Sequence, residues 1–300
     1  MAVLLALTLD WFLREPPARL HPVVWMGAYL NRVGRKLTSR PPRSALLLGA
    51  GYWLMGAVLV LAVYGALAWQ LEQLADSLKL LFTALLLKPL FAFRMLLDEV
   101  NAVEKLLEES LEAARTRLSH LVSRPAEALS PNEVRESALE SLAENLNDSL
   151  VAPLFWFVLL GLPGAALYRF ANTADALWGY RGSWEWAGKF AARADDCLSY
   201  IPARITGLLL CGWRCPWKAL WREARKTPSP NSGWPMAALA LFLDIRLSKP
   251  NVYVLHSSGR LPTAQDLQAG LSRAIWVGWS AGLVAGLCTW NSGQAILGLF

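Results

Sequence analysis

The chain has 300 residues, 55% hydrophobic and 17% charged, with 15 tryptophans and a mean hydropathy of +0.32. That balance excludes an ordinary soluble enzyme and describes a polytopic membrane protein, with the tryptophan excess suited to the membrane–water interface. A formal charge of +6 is modest, and fits basic cytoplasmic loops better than nucleic-acid binding.

The run Met1 to Leu13 is apolar apart from Asp10 and too short to span as an ordinary helix. It has no basic n-region and no small-residue cleavage site, so it does not read as a cleaved signal peptide. From Arg14 to Arg43 the bases Arg14, Arg19, Arg32, Arg35, Lys36, Arg40 and Arg43 face one acid, Glu15. This stretch belongs on the cytoplasmic side. Ser44 to Trp69 is uncharged and long enough to cross. The turn Gln70–Leu78 carries Glu72 and Asp76 and no base, as an external loop should. Leu80 to Leu97 returns, kinked at Pro89, with Lys88 and Arg94 expected to snorkel to the interfaces. Asp98 to Val122 is amphipathic through Val100, Val103, Leu107, Leu111, Ala114, Leu118 and Leu121, and reads as a cytoplasmic helix.

Ser130-Pro131-Asn132-Glu133 then has the form of a helix start: a capping serine, a proline at the first position, and a glutamate to close the box. Glu136, Glu140, Glu144 and Asp148 follow at four-residue steps, which places four carboxylates on one stripe. Ser137, Ser141, Asn145 and Ser149 form a second stripe, and Ala138, Leu142, Leu146 and Leu150 an apolar third. Carboxylates four apart repel by about 0.2–0.5 kcal/mol per pair, and only Arg135 is near to compensate. From Leu150 to Tyr168 there is no charge. An acidic stripe that runs into an apolar segment suggests a cation or cationic group held at a membrane boundary; the alternative is a solvated acidic face.

Gly161-Leu162-Pro163-Gly164 interrupts the apolar run, so Leu150 to Phe170 is expected to break or turn back inside the membrane around a cavity. Polar clusters follow: Asn172-Thr173-Ala174-Asp175, Gly179-Tyr180-Arg181 and Arg193-Ala194-Asp195-Asp196. The paired aspartates between Arg193 and Arg204 suit Mg²⁺ or phosphate. Ile201-Pro202-Ala203-Arg204 opens an apolar run to Trp213. Cys215 to Lys226 looks interfacial, with Trp213, Trp217, Leu220 and Trp221 on one face and Lys218, Arg222 and Arg225 on another. Thr227 to Gly233 is a rigid turn, Trp234 to Ile245 a short apolar segment, Arg246 to Arg273 an irregular loop, and Ile275 to Phe300 a final span. Cys197, Cys211, Cys215 and Cys288 have neither metal-ligand spacing nor a disulfide pattern and read as reduced packing residues. The fold class expected is all-α, a single integral membrane domain over residues 1–300. It has about four to five transmembrane or re-entrant helical segments and a cytoplasmic helical insertion at about 98–149.

These residues resemble the CobD/CbiB family of cobalamin biosynthesis. The resemblance is carried by Glu140-Ser141-Leu142-Ala143-Glu144-Asn145 with Asp148, and by Ala152-Pro153-Leu154-Phe155-Trp156. It extends through Gly161 to Ala165, Tyr168, Asn172-Thr173, Asp175, Gly179-Tyr180, Ala192-Arg193, Asp195-Asp196 and Ile201 to Thr206. Ser229-Pro230-Asn231 and Gly233-Trp234 continue it, and Asp10, Pro16 and His21-Pro22 resemble the family's opening. There are departures. Ser123-Arg124-Pro125-Ala126 stands where the family has Gly-Arg-Asp-Thr, Arg14-Glu15-Pro16 where it has Gly-Asp-Pro, and Ser149 where it has glycine.

The resemblance implies adenosylcobinamide-phosphate synthase. This is an inner-membrane, multi-pass enzyme with its active site facing the cytoplasm. It joins aminopropanol or ethanolamine phosphate, or the free aminoalcohol, to the propionate of adenosylcobyric acid, with ATP consumed. The lipid bilayer and other membrane enzymes of cobalamin assembly are its expected partners; nucleic acid is not. Amide formation needs an activated carboxylate, and Mg²⁺ would bridge the phosphates. Glu140, Glu144, Asp148 and the Asp195–Asp196 pair can supply ligands and a general base, Glu140, Glu144, Asp148 and Asp196 being the metal candidates. Arg124, Arg193 and Arg204 can neutralise phosphate, Asn145, Asn172 and Asn231 can hydrogen-bond the amides of a corrinoid, and Asp175 is a further candidate for binding ATP or corrinoid. No P-loop is present, so ATP would not be held in the Walker manner. Two readings compete: a membrane prenyl- or phospho-transferase with Asp-rich Mg²⁺ sites, and a non-catalytic membrane partner.

Overall fold

The computed structural model describes residues 1–13, 15–122, 125–213 and 215–297. Twelve α-helices are described: α1 Ala2–Phe12, α2 Pro22–Gly34, α3 Pro42–Leu71, α4 Asp76–Leu87, α5 Phe93–Glu109, α6 Leu111–Leu118, α7 Pro131–Leu146, α8 Ala152–Trp178, α9 Lys189–Cys211, α10 Trp217–Ala224, α11 Gly233–Leu243 and α12 Ala264–Leu297. A short antiparallel hairpin, β1 Leu247–Lys249 and β2 Tyr253–Leu255, pairs Ser248 with Val254. Among the described residues, four stretches are long and apolar enough to cross a membrane: Pro42–Leu71, Asp76–Glu109, Pro131–Trp178 and Ala264–Thr289. The chain is therefore an all-α polytopic membrane protein. It divides into two compact units, residues 1–92, 152–199 and 281–300 in one, and 93–151 with 200–280 in the other. The helices expected as an insertion over 98–149 thus share a unit with 200–280.

In the first unit α3 packs on α8, and α2 on both. Phe170 of α8 stands 5.8 Å from the Trp53 ring of α3 and 6.3 Å from the Tyr29 ring of α2. Close approach needs a residue without a Cβ at Gly56, where one would lie 2.4 Å from the Phe170 ring. Pro89 does interrupt the returning helix: α4 gives way to a 3₁₀ turn, Lys88–Leu90, before α5 begins at Phe93. Lys88 does not snorkel. It is 5% exposed, with Nζ 2.9 Å from Glu15 Oε2 and 3.8 Å from Asp10 Oδ1. A buried ammonium is costly unless paired, and two carboxylates from the N-terminal segment outcompete the interface.

The break at Gly161 is sharp. Its φ of 64° and ψ of −155° are non-helical and open to glycine. A Cβ on Gly164 would stand 2.4 Å from the Trp156 carbonyl oxygen. Residues eight apart on a straight helix lie about 12 Å apart, so the chain reverses here. Trp156 Nε1 donates to the Leu198 carbonyl at 3.0 Å, and the Tyr168 hydroxyl meets Ser199 Oγ at 3.0 Å. Both limbs of the reversal therefore reach the same turn of α9, as a broken segment requires.

In the second unit the amphipathic stretch is two helices, not one. Ser110 ends α5 and caps α6 by accepting from the Ala113 amide. The capping box of α7 forms as its sequence dictates: the Glu133 amide donates to Ser130 Oγ, and the Ser130 amide to Glu133 Oε2 at 2.7 Å. Ala138, Leu142, Leu146 and Leu150 are all buried, as the apolar stripe requires. Arg135 reaches Glu104 of α5 with a bidentate pair at 2.7–3.0 Å. The stretch expected to be an irregular loop folds into the hairpin and the first turns of α12, which starts at Ala264, well before Ile275. The Arg260–Asp266–Thr263 bonds pin that start, a signal carried by side-chain pairing rather than by apolar periodicity.

Candidate functional site

The acidic stripe of α7 is not a solvated face. Glu136 is fully buried and Glu140 4% exposed, while Glu144 and Asp148 are half-buried. Their partners differ. Glu136 accepts from Arg246 Nη2 at 3.1 Å and from the Ser248 hydroxyl of β1, so it is held by the hairpin. Ser141 donates to the Leu121 carbonyl at 3.1 Å, and Asn145 turns its amide back on Ser141. After Leu146 the helix widens into a π turn, Asn147–Val151, where Asp148 accepts from Asn147 Nδ2 at 2.7 Å. π turns are rare and concentrate at functional sites. Here the wider turn displaces Asp148 from the simple four-residue continuation of the stripe. Thr206 of α9 donates to Asn147 Oδ1 at 3.0 Å, inside the unit, and fixes the turn.

In the first unit the remaining acids lie on α8 and α9. Tyr168 is tied to Ser199, and a Cβ on Gly188 would lie 1.7 Å from the Trp178 carbonyl oxygen. The helices therefore run antiparallel between these two contacts. One and two turns beyond Tyr168 lie Asn172 and Asp175; one turn before Ser199 lie Asp195 and Asp196. Helical periodicity places Asn172 and Asp175 on the Tyr168 side of α8, and Asp195 and Asp196 on the Ser199 side of α9. A Cβ on Gly179 would stand 2.1 Å from Asp175 Oδ1. Burial pushes the Asp196 carboxyl up, partly offset by Arg193, whose exposed guanidinium is 3.8 Å away.

Arg204 and Asn231, both in the second unit, are brought together. Arg204 donates to Asn231 Oδ1 at 3.1 Å and to the Pro230 and Tyr200 carbonyls at 3.2 and 2.5 Å. Burial lowers the Arg204 pKa, with the Tyr200 side chain acting against it. Arg124 lies outside the described residues. Sequence reasoning missed Asn147 and Thr206, 59 positions apart, and it did not foresee that Glu15 would reach Lys88. Glu15 puts a carboxylate 2.9 Å from that lysine. His21 Nε2 joins at 3.2 Å from Glu15 Oε2.

Among the described residues, no three His, Cys, Asp or Glu side chains are arranged to hold a metal ion. Glu140, Glu144 and Asp148 therefore form no ready-made cage. One or two carboxylates facing phosphate is the donor set Mg²⁺ ordinarily takes.

Long apolar helices that carry buried carboxylates and amides define an integral membrane protein with polar sites inside its helical units. The chain belongs to the CobD/CbiB family: the model of that family, described as CobD/Cbib protein, matches residues 3–275. It is 43% identical over 262 residues to the probable cobalamin biosynthesis protein CobD of Methanothermobacter thermautotrophicus, covering 84% of this chain and 85% of the relative. The protein of the same name from Thermococcus kodakarensis is 40% identical, with 95% of each chain covered. The cobalamin biosynthesis protein CobD of Dehalococcoides mccartyi is 36% identical over 94% of this chain and 96% of its own. No solved structure matches.

Proposed function

We propose that this protein forms the amide between an aminoalcohol, free or phosphorylated, and the propionate of adenosylcobyric acid, with ATP consumed. The observation that carries this reading, beside the family, is the burial of Glu140 next to half-buried Glu144 and Asp148 along one acidic stretch at four-residue steps. One or two such carboxylates are the donors that a divalent cation carried on phosphate uses. Glu140, Glu144 and Asp148 would hold Mg²⁺ carried on phosphate. When bound, the ion offsets the charge of the phosphates. Asp195 and Asp196 would take the proton that the amine loses, and burial suits Asp196 to that task by holding its carboxyl up. Arg193 and Arg204 meet phosphate, and Asn145, Asn172, Asp175 and Asn231 meet the corrinoid's amides. The basic stretch Arg14 to Arg43 supports a cytoplasmic site in the cell membrane, where ATP is available.

Expression in a strain that cannot convert cobyric acid onward tests the reading. Growth on cobyric acid is expected with the native chain and none with Glu140→Gln inserted at the same level. Growth absent with the native chain, though it inserts normally, would overturn the assignment.

A further inference from the structure

A cleft in the second unit, bounded by α9, α10 and the start of α11, contains Arg204, already placed on phosphate above, and none of the carboxylates of that reading. Two spaces there share part of their lining. One, about 490 Å³, is lined by Tyr200, Arg204, Arg225, Thr227 and Ser229 among others; the second, about 790 Å³, by Leu208, Trp217, Lys218 and Arg222. Arg204, Trp221 and Trp234 line both. Four cations border the cleft and no acid does. Glu223, the acid next in sequence, is buried and turned to Lys226 at 2.6 Å and to the His256 amide at 2.7 Å, and it lies 3.4 Å from Arg222 Nε.

The cations are placed by the protein. The Arg204 guanidinium is 3.4 Å from the Tyr200 ring and 4.9 Å from the Trp234 ring, and its three oxygen partners fix its plane. Arg225 sits 4.4 Å over Trp221. Ser229 Oγ accepts from the Asn231 and Ser232 amides at 3.2 and 3.3 Å, which leaves its O–H as a donor. One space is thus bordered by arginines, hydroxyls and two indoles, the adjoining one by three indoles, a leucine and the cations Arg204, Lys218 and Arg222.

We propose that this cleft binds a phosphate-bearing ligand with a flat or apolar body. The phosphate lies on Arg204, Arg225 and Ser229, and the body on Trp217, Trp221 and Trp234. Planar guanidinium groups suit phosphate through paired donors, and indole faces suit a ring or chain. A soluble phosphorylated substrate and a phospholipid headgroup share this chemistry. The assignment rests on the amide-forming reading only in the choice of ATP as the first probe.

The test uses the full chain, purified in detergent. ATP and inorganic phosphate are titrated by calorimetry, and binding to phosphatidylglycerol vesicles is compared with phosphatidylcholine vesicles. Arg204→Lys keeps the charge and loses the fork; Arg225→Gln alters an exposed residue and leaves folding intact. Lys105→Gln, exposed on α5, controls for net charge. Each cleft variant is expected to weaken binding about tenfold or more, and the control to leave it unchanged. Variant-sensitive ATP or phosphate binding with no preference for phosphatidylglycerol supports a soluble ligand. Variant-sensitive preference for phosphatidylglycerol alone supports a lipid. Binding that is equal in all four proteins, or absent for every probe, overturns the site. These readouts need no turnover, so loss of amide formation does not mimic their failure.

Discussion

The last turns of α9 present two faces that differ in kind. On one, Thr206 is fully buried and bonded to Asn147, where α7 widens into the π turn that bears Asp148. On the other, two residues back and so about 200° around the helix, Arg204 lies among indoles, cations and open space. Both faces belong to one unit and are ten residues or fewer from Ile201-Pro202, yet one is closed and acidic and the other open and basic. Charge in this protein is thus sorted by helix face. A ligand with a cationic centre and a ligand with a phosphate would be drawn to different sides of the same helix.

That contrast can be broken from the acidic side first. Glu140→Gln and Glu144→Gln are each expected to reduce amide formation by about 10²–10⁴-fold while ATP or phosphate binding in the Arg204 cleft is unchanged. Calorimetry beside a product assay reads the two effects separately. Glu136→Ala sharpens the comparison within the stripe. It leaves Arg246 and Ser248 without their buried carboxylate, so a loss of about 1–3 kcal/mol in stability is expected, with turnover retained below the lowered melting point. Thermal unfolding in detergent checks it; a stable but inactive variant would put Glu136 in the chemistry. Thr206→Val removes the hydroxyl between the two faces and should cost about 0.5–1.5 kcal/mol by the same measurement.

The smallest effect concerns protons. Arg193 lowers the Asp196 pKa against the larger effect of burial. Removing the cation in Arg193→Gln therefore raises that pKa further. If ionised Asp196 accepts the amine's proton, activity falls as pH drops through its pKa, and the acid limb moves to higher pH in the variant. A pH–rate profile with an unmoved limb would remove Asp196 from that role.

Much of this was legible in the sequence because it is local. The capping box needs only Ser130 and Glu133, the apolar stripe of α7 only a four-residue period, and the break in α8 only Gly161 and its neighbours. What escaped depends on partners far along the chain. Glu136 looks like its neighbours until Arg246 arrives from 110 positions away, and Lys88 looks like an interfacial lysine until Asp10 and Glu15 close on it. The start of α12 was hidden for another reason: its first turns are polar and are held by Arg260 and Thr263 on Asp266. The π turn carries no residue pattern of its own, and the Thr206 hydroxyl that bonds Asn147 within it comes from 59 positions away.

The most direct measurement of the central claim is product formation by the purified chain. Detergent-solubilised protein is given adenosylcobyric acid, Mg²⁺-ATP and either aminopropanol or aminopropanol phosphate, and the corrinoid product is weighed by mass spectrometry. The account predicts a product heavier by the aminoalcohol less one water, formed with ATP breakdown by the native chain and not by Glu140→Gln. No product from the folded native chain, or equal product from Glu140→Gln, would contradict it.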